Sequence, residues 1–164
     1  MSKFRPEDLL NNVKSLLFTY LNDKINEIEA EQLQKGLPAT NLTLIDRDNG
    51  FFLQSWSDKI LNINPAIFYG IEDIKATGVG PTTAQHYRVF VEVVLVDSLA
   101  DLLGNTRIFR YAEAIKEVFE EHYDQLSSAS QIKIETVRPV SFKLDMNSSE
   151  EIRVGGVSLI TSLA

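Results

Sequence analysis

The sequence predicts an α+β fold in which an antiparallel β-sheet carries two main α-helices packed on it. Three observations predict it. His86 to Asp97 is a long run rich in β-branched residues, suited to a pleated, buried surface. Thr106 to Leu126 then switches to helical period, with Ile108, Tyr111, Ala112, Ile115, Val118, Phe119, Tyr123 and Leu126 on one stripe. Two further β runs follow, reaching Ala164.

The first helix is predicted over about residues 6–35. Pro6 occupies a first-turn position, and Glu7 and Asp8 complement the helix dipole. Leu9, Val13, Leu16 and Tyr20 recur at helical spacing, widened by Leu10, Leu17, Leu21 and Ile28, before Gly36 and Pro38 end the pattern. The polar tail from Asn26 to Gln34 is expected to project from the body. Leu42–Ile45 and Phe51–Trp56 flank Asp46-Arg-Asp-Asn-Gly50, which reads as an extra β-hairpin over about residues 40–57 with its turn at Asn49-Gly50.

The α+β core is predicted over about residues 65–164. Pro65 and Gly70 bracket an apolar run, and a short strand follows through Ile71 to Ala76. Gly78 to Thr83 is a glycine-bearing connection. In the long strand Val89, Val91, Val93 and Leu95 line one face, while Phe90, Val94 and Val96 make the other partly apolar. Another segment or another subunit is therefore expected to cover that second face in part. Ser98 to Leu103 reads as a helical turn stopped by Gly104, and Thr106 as the N-cap of the second helix. Gln131 to Asp145 is a strand in which Pro139 predicts an edge or a bulge. Ile152 and Val154 hold one parity and Val157, Leu159, Thr161 and Leu163 the other, so Gly155-Gly156 is expected to form a bulge. No repeat or linker divides the chain, and residues 1–164 read as a single domain.

At 164 residues with 44% apolar content, the chain has the means to bury a core without metal or disulfide help. Cysteine is absent, which excludes disulfides, thiolate metal sites and thiol catalysis, and suits a reducing compartment. No apolar run reaches the ~18 residues that cross a bilayer, and the first residues lack a signal core. The formal charge of −7 disfavours general phosphate binding, so specific nucleic-acid recognition is not expected.

No set of side chains reads as a catalytic or cofactor site. Asp46 to Gly50 superficially suggests a calcium loop, but the positions that need glycine and glutamate hold Phe51 and Ser57. Gly78-Val-Gly80 lacks the third glycine or lysine of a phosphate loop. His86 and His122 have no histidine one helical turn away, which leaves a metal site without support. Catalytic, cofactor and metal residues are accordingly expected to be none. Glu117, Glu120, Glu121 and Asp124 crowd the polar side of the second helix, as a solvated face or as a surface for a channel or basic partner. Phe51, Phe52 and Trp56 concentrate aromatic area, and Val157, Leu159, Ile160 and Leu163 give an apolar terminal strand open to edge pairing. The expected contact residues are Phe51, Phe52, Trp56, Val79, Thr82, Val157, Leu159 and Leu163.

The order of one helix, hairpins, a long strand, a second helix and two closing strands resembles the tail terminator (tail completion or neck-type) proteins of tailed phages. The local matches are Pro65-Ala-Ile-Phe-Tyr-Gly70, the Tyr87 to Asp97 strand, and Arg110 to Phe119; the 40–57 hairpin has no counterpart in that pattern. The resemblance implies a non-enzymatic subunit of a closed ring, usually a hexamer, that caps the tail tube and joins it to the head. It implies self-association, contact with a tail tube or sheath protein and with a head–tail connector or head-closure protein, and DNA passing through the ring. Such a protein is assembled in the host cytoplasm and resides in the virion. The alternatives are another phage assembly part (a head-closure adaptor, tube or baseplate component) and a small α+β enzyme using His86 or His122.

Overall fold

The computed structural model describes residues 5–55, 63–77, 84–98, 103–126, 132–143 and 146–163. Its elements run α1 (Pro6–Gln34), β1 (Phe51–Leu53), β2 (Ala66–Thr77), β3 (Ala84–Ser98), α2 (Gly104–Glu121), β4 (Ile132–Lys143) and β5 (Glu150–Leu163). The strands form one five-stranded sheet in the order β1-β2-β3-β5-β4, with both helices on one face. The α+β class is as the sequence predicts. The sheet is mixed rather than purely antiparallel, because β1 runs parallel to β2 while every other neighbour is antiparallel.

The helix α1 begins where Pro6 needs no donor, and the Arg5 amide donates to the Asp8 carboxylate at 2.7 Å. It ends in a left-handed Gly36 (φ 75°). There the Gly36 and Leu37 amides donate to the Leu33 and Gln32 carbonyls, each at 3.0 Å. This double closure satisfies the last carbonyls, and the positive φ is why glycine stands there. Leu9, Val13, Leu16, Leu17, Leu21, Ile25 and Ile28 are buried. The tail does not project as expected: Ile28 is in the core and Glu29 pairs with Arg110 of α2. The helix α2 starts two residues before the expected Thr106 cap, so Gly104 opens it rather than stopping a turn; Arg107 N–H donates to the Leu103 carbonyl at 2.9 Å. The expected turn at Ser98 to Leu103 falls largely outside the described residues.

The predicted hairpin at 40–57 is half right. Its turn exists: the Asp46 carboxylate accepts from the Asp48 and Asn49 amides at 2.9 and 3.1 Å, and Gly50 N–H donates to the Asp46 carbonyl at 2.8 Å. The two arms do not pair. The Asn22 side chain on α1 donates to the Ile45 carbonyl at 2.9 Å and accepts from its amide at 2.8 Å. Both backbone groups of Ile45 are therefore occupied, and residues 40–45 run as a strap across the helices. Phe51–Leu53 pairs instead with the edge of β2, Phe51 beside Ile67.

The apolar run after Pro65 and the expected short strand fuse into β2, with a register shift between Ile71 and Asp73. Pro139 lies on an edge strand and inside a bulge, between Val137 and Val140, as expected. The glycine pair does not. The β3–β5 register runs unbroken through Gly155 and Gly156, so β5 keeps strict alternation. The parity change instead reflects which face is apolar: Ile152 and Val154 point away from the helices, whereas Val157 and Leu159 point toward them. Nor is β5 an edge; it lies between β3 and β4, because β3 takes it as its second ladder partner.

The main core thus lies between the helices and the near face of the sheet, built from Val89, Val91, Val93, Leu95, Ile67, Tyr69, Val157 and Leu159 against α1 and α2. A smaller cluster, Ala66, Phe68, Val94, Ile152 and Val154, occupies the far face. Its centre is fully buried within the single chain.

Candidate functional site

The expected contact residues separate into three groups. Phe51 and Phe52 sit half-buried on β1; Phe52 stacks on Phe68 with ring centroids 5.0 Å apart, and Phe51 lies tilted to Phe18 at 6.3 Å. Val157 and Leu159 are 0 and 1% exposed, committed to the subunit's own core, so neither side chain offers surface to a partner. Leu163 is placed by its backbone, opposite Gln85. Trp56, Val79 and Thr82 lie outside the described residues. His122 stacks on Tyr20 at 3.9 Å, and His86 lies in the sheet opposite Lys75 and Ser162. Among the described residues no group of three His, Asp or Glu could hold a metal ion.

A polar network ties the strap to α2 and to the end of β3. Arg107 donates to the Asp97 carboxylate from Nε (3.1 Å) and from Nη2 to both oxygens (2.9 and 3.0 Å), and from Nη1 to the Thr40 carbonyl (3.3 Å). Arg110 donates to Glu29 at 2.6 Å and to the Thr40 hydroxyl at 3.2 Å. The Tyr111 hydroxyl donates to the Thr43 carbonyl at 2.6 Å. Burial alone would raise the Glu29 carboxyl, but hydrogen bonds from Thr40 and Arg110 outweigh it and hold the group below its ordinary value. Burial pushes the Tyr111 hydroxyl upward. A cavity of about 290 Å³ opens beside this network, lined by Thr43, Asn64, Leu95, Asp97 and Arg107 among others. Its charges are turned on one another and fasten the strap. Arg107 and Arg110 escaped the sequence reading, although their i, i+3 spacing beside the apolar stripe of α2 was a usable signal.

The far face keeps apolar surface in solvent along β4. Cross-strand rows run Val140–Val154–Val94–Ala66 and Phe142–Ile152–Val96. Their inner members are buried, yet Val140 and Phe142 on β4 are each 47% exposed, and Val137 is 36% exposed. Among the described residues β4 is the outermost strand on this side of the sheet. Pro139, its bulge and the charges of Lys133, Glu135 and Arg138 blunt this edge. The exposed face beside it keeps its apolar side chains. Toward β1 the same face carries a recess of about 250 Å³ lined by Ser55, Ile71, Glu72, Phe90 and Glu92. Burial, then the neighbouring Glu72, raises the Glu92 carboxyl. A carboxyl so raised binds its proton more tightly folded than unfolded, so its charged form opposes folding above that value. Glu92→Gln is expected to raise the melting temperature at pH 7 by a few degrees, with the gain shrinking as pH falls through the raised value. Scanning calorimetry from pH 7 to pH 4 checks this; a lower Tm at pH 7 would contradict it.

A third surface lies where α1 and α2 meet. Ile28, Gln32, Leu37, Thr106, Phe109 and Glu113 line a largely apolar groove of about 340 Å³ that Arg110 also borders. Phe109 is 56% exposed and Leu37 47%. Farther along the same helix pair, Lys24 is bonded to Glu27 and Glu121, each at 2.8 Å, with Glu117 at 3.7 Å. Burial opposes the Lys24 charge, but the hydrogen bonds and charges of Glu121 and Glu27 outweigh it and raise its pKa. Lys116 is raised chiefly by Glu113 and Glu120. Glu117 is raised first by burial, which Lys24 opposes, and further by Glu113, Glu121 and Glu31.

No helix of the described residues is long and apolar enough to cross a membrane. Comparison of the sequence with protein-family models gives no match, and comparison with curated proteins gives none either.

Proposed function

We propose that this chain is a virion structural subunit of a tailed phage, a tail terminator or neck-ring protein that caps the tail tube and joins it to the head connector. The observation that carries the reading is the far face of β4, the outermost strand of the sheet among the described residues, where Val137, Val140 and Phe142 remain 36–47% exposed. This strip continues the buried rows of the same face, so a neighbouring copy would extend an existing apolar layer rather than found a new one. The acidic balance of −7 suits a lumen through which DNA slides without adhering. The order of elements resembles the tail terminator family, whose work is shape-complementary association rather than catalysis.

The test is oligomeric state. Light scattering after size exclusion is expected to find a closed multimer, in the first instance a hexamer, and negative-stain images to show annular particles. Val140→Ser combined with Phe142→Ser is expected to raise the concentration at which the ring dissociates by about tenfold or more, with the circular dichroism spectrum unchanged. A strictly monomeric protein at high concentration, alone and with tail tube protein, would overturn the ring.

A further inference from the structure

We propose that the α1–α2 groove is a docking site for a basic, amphipathic segment of a partner protein. An apolar side chain of that segment would seat between Leu37 and Phe109, and its lysines or arginines would lie along the adjoining acidic run. The inference is independent of the ring, since it concerns the opposite side of the sheet from the β4 strip.

Two different features coincide at this place. The first is apolar: Phe109 and Leu37 stand half in solvent over Ile28, around a groove of about 340 Å³. A large aromatic ring held on a helix surface beside a recess has the anchor geometry that dominates protein interfaces. The second is electrostatic. On α2, Thr106, Phe109, Glu113, Glu117 and Glu120 recur at helical spacing, so the groove leads directly into carboxylates. On α1, Ile28 and Gln32 line the groove while Glu27 and Glu31 lie within one turn of them.

The internal cations do not balance this run. Lys24 is divided among Glu27, Glu117 and Glu121, and Lys116 between Glu113 and Glu120. The nearby Arg110 is turned inward to Glu29. Six carboxylates (Glu27, Glu31, Glu113, Glu117, Glu120, Glu121) thus face two lysines, an excess of four negative charges by count of these residues. A field of that sign beside an apolar recess selects a positively charged occupant and repels both nucleic acid and anionic lipid. A second copy of this chain, itself carrying −7, is a poor electrostatic match.

The probe is a fluorescein-labelled amphipathic helical peptide of leucine and lysine, followed by fluorescence anisotropy against the full chain. Controls are a glutamate-for-lysine peptide and a serine-for-leucine peptide. Binding in the micromolar range is expected, weakening steeply between low and physiological salt. Phe109→Ser, on an exposed side chain that the fold does not need, is expected to weaken binding about tenfold, as is Glu113→Gln combined with Glu117→Gln. Both variants should keep the parent circular dichroism spectrum. As a positional control, Val140→Ser on the far face should bind like the parent.

Equal binding of the parent and both groove variants would overturn the proposal. So would equal binding of the acidic peptide. Self-association that Phe109→Ser abolishes, with peptide binding unaltered, would reassign the groove to a second copy and also overturn it.

Discussion

Gly156→Ala is expected to destabilise the protein by about 3–5 kcal/mol, close to the whole stability of many domains. Gly156 lies in the interior strand β5, between Val137 of β4 and Glu92 of β3. A Cβ built there overlaps the Val91 carbonyl oxygen and comes within 2.8 Å of the Glu92 Cα. Both are backbone atoms of the neighbouring ladder, so relief requires β3 and β5 to separate. The adjacent glycine supplies the control. A Cβ on Gly155 meets the Ile108 side chain at 3.0 Å and comes no nearer than 3.7 Å to the Ile108 carbonyl oxygen, so a side chain rather than a ladder has to give, and Gly155→Ala is expected to cost about 1 kcal/mol. Urea unfolding of both variants measures the contrast. Equal midpoints for the two would show that the β3–β5 spacing is not as described.

Arg110→Met is expected to cost about 3–5 kcal/mol at pH 7, because it takes the guanidinium from the largely buried Glu29 carboxylate and leaves it the Thr40 hydrogen bonds. The side chains of Arg110 and Glu29 are 7 and 17% exposed, and their ion pair spans 2.6 Å. The sign of the pH dependence follows from Glu29, whose folded pKa lies below its ordinary 4.5. Stability from that carboxylate is fully present above 4.5 and is lost as pH falls through the depressed folded value. The deficit of Arg110→Met should therefore narrow in acid. At pH 7 the double variant Glu29→Gln, Arg110→Met should lose less than Arg110→Met alone, since no charge is left unpaired. Additive losses in that cycle would refute the coupling.

How much of this was legible in the sequence depends on what each residue's neighbours were. The bounds of α1 were readable because Pro6, Asp8 and Gly36 act within one turn of their own positions. The alternation in β3 was readable for the same reason, and its two-sided apolar character correctly announced cover on both faces. The hairpin failed because its fate was decided by Asn22, more than twenty residues upstream, which claims both backbone groups of Ile45. The order of strands failed similarly: nothing within β5 says that β4 will flank it. Its apolar side chains therefore read as an exposed edge when they are core. The site residues divide along this line. Arg107, Arg110, Glu29 and Asp97 acquire meaning only as partners across 10 to 81 positions of chain. The exposure of Phe109, Val140 and Phe142 follows from which faces the helices leave uncovered, which periodicity alone does not specify.

The place of β5 also bears on how the molecule comes into being. On the ribosome, β2 and β3 emerge together and can pair at once, but the other side of β3 must wait for residues 150–163. Until then Val89, Val91 and Val93 on one side and Phe90 and Val94 on the other have no finished layer to enter. A nascent or truncated chain ending before Glu150 would carry a bare, sticky hairpin beneath two amphipathic helices, the kind of intermediate that calls for a chaperone.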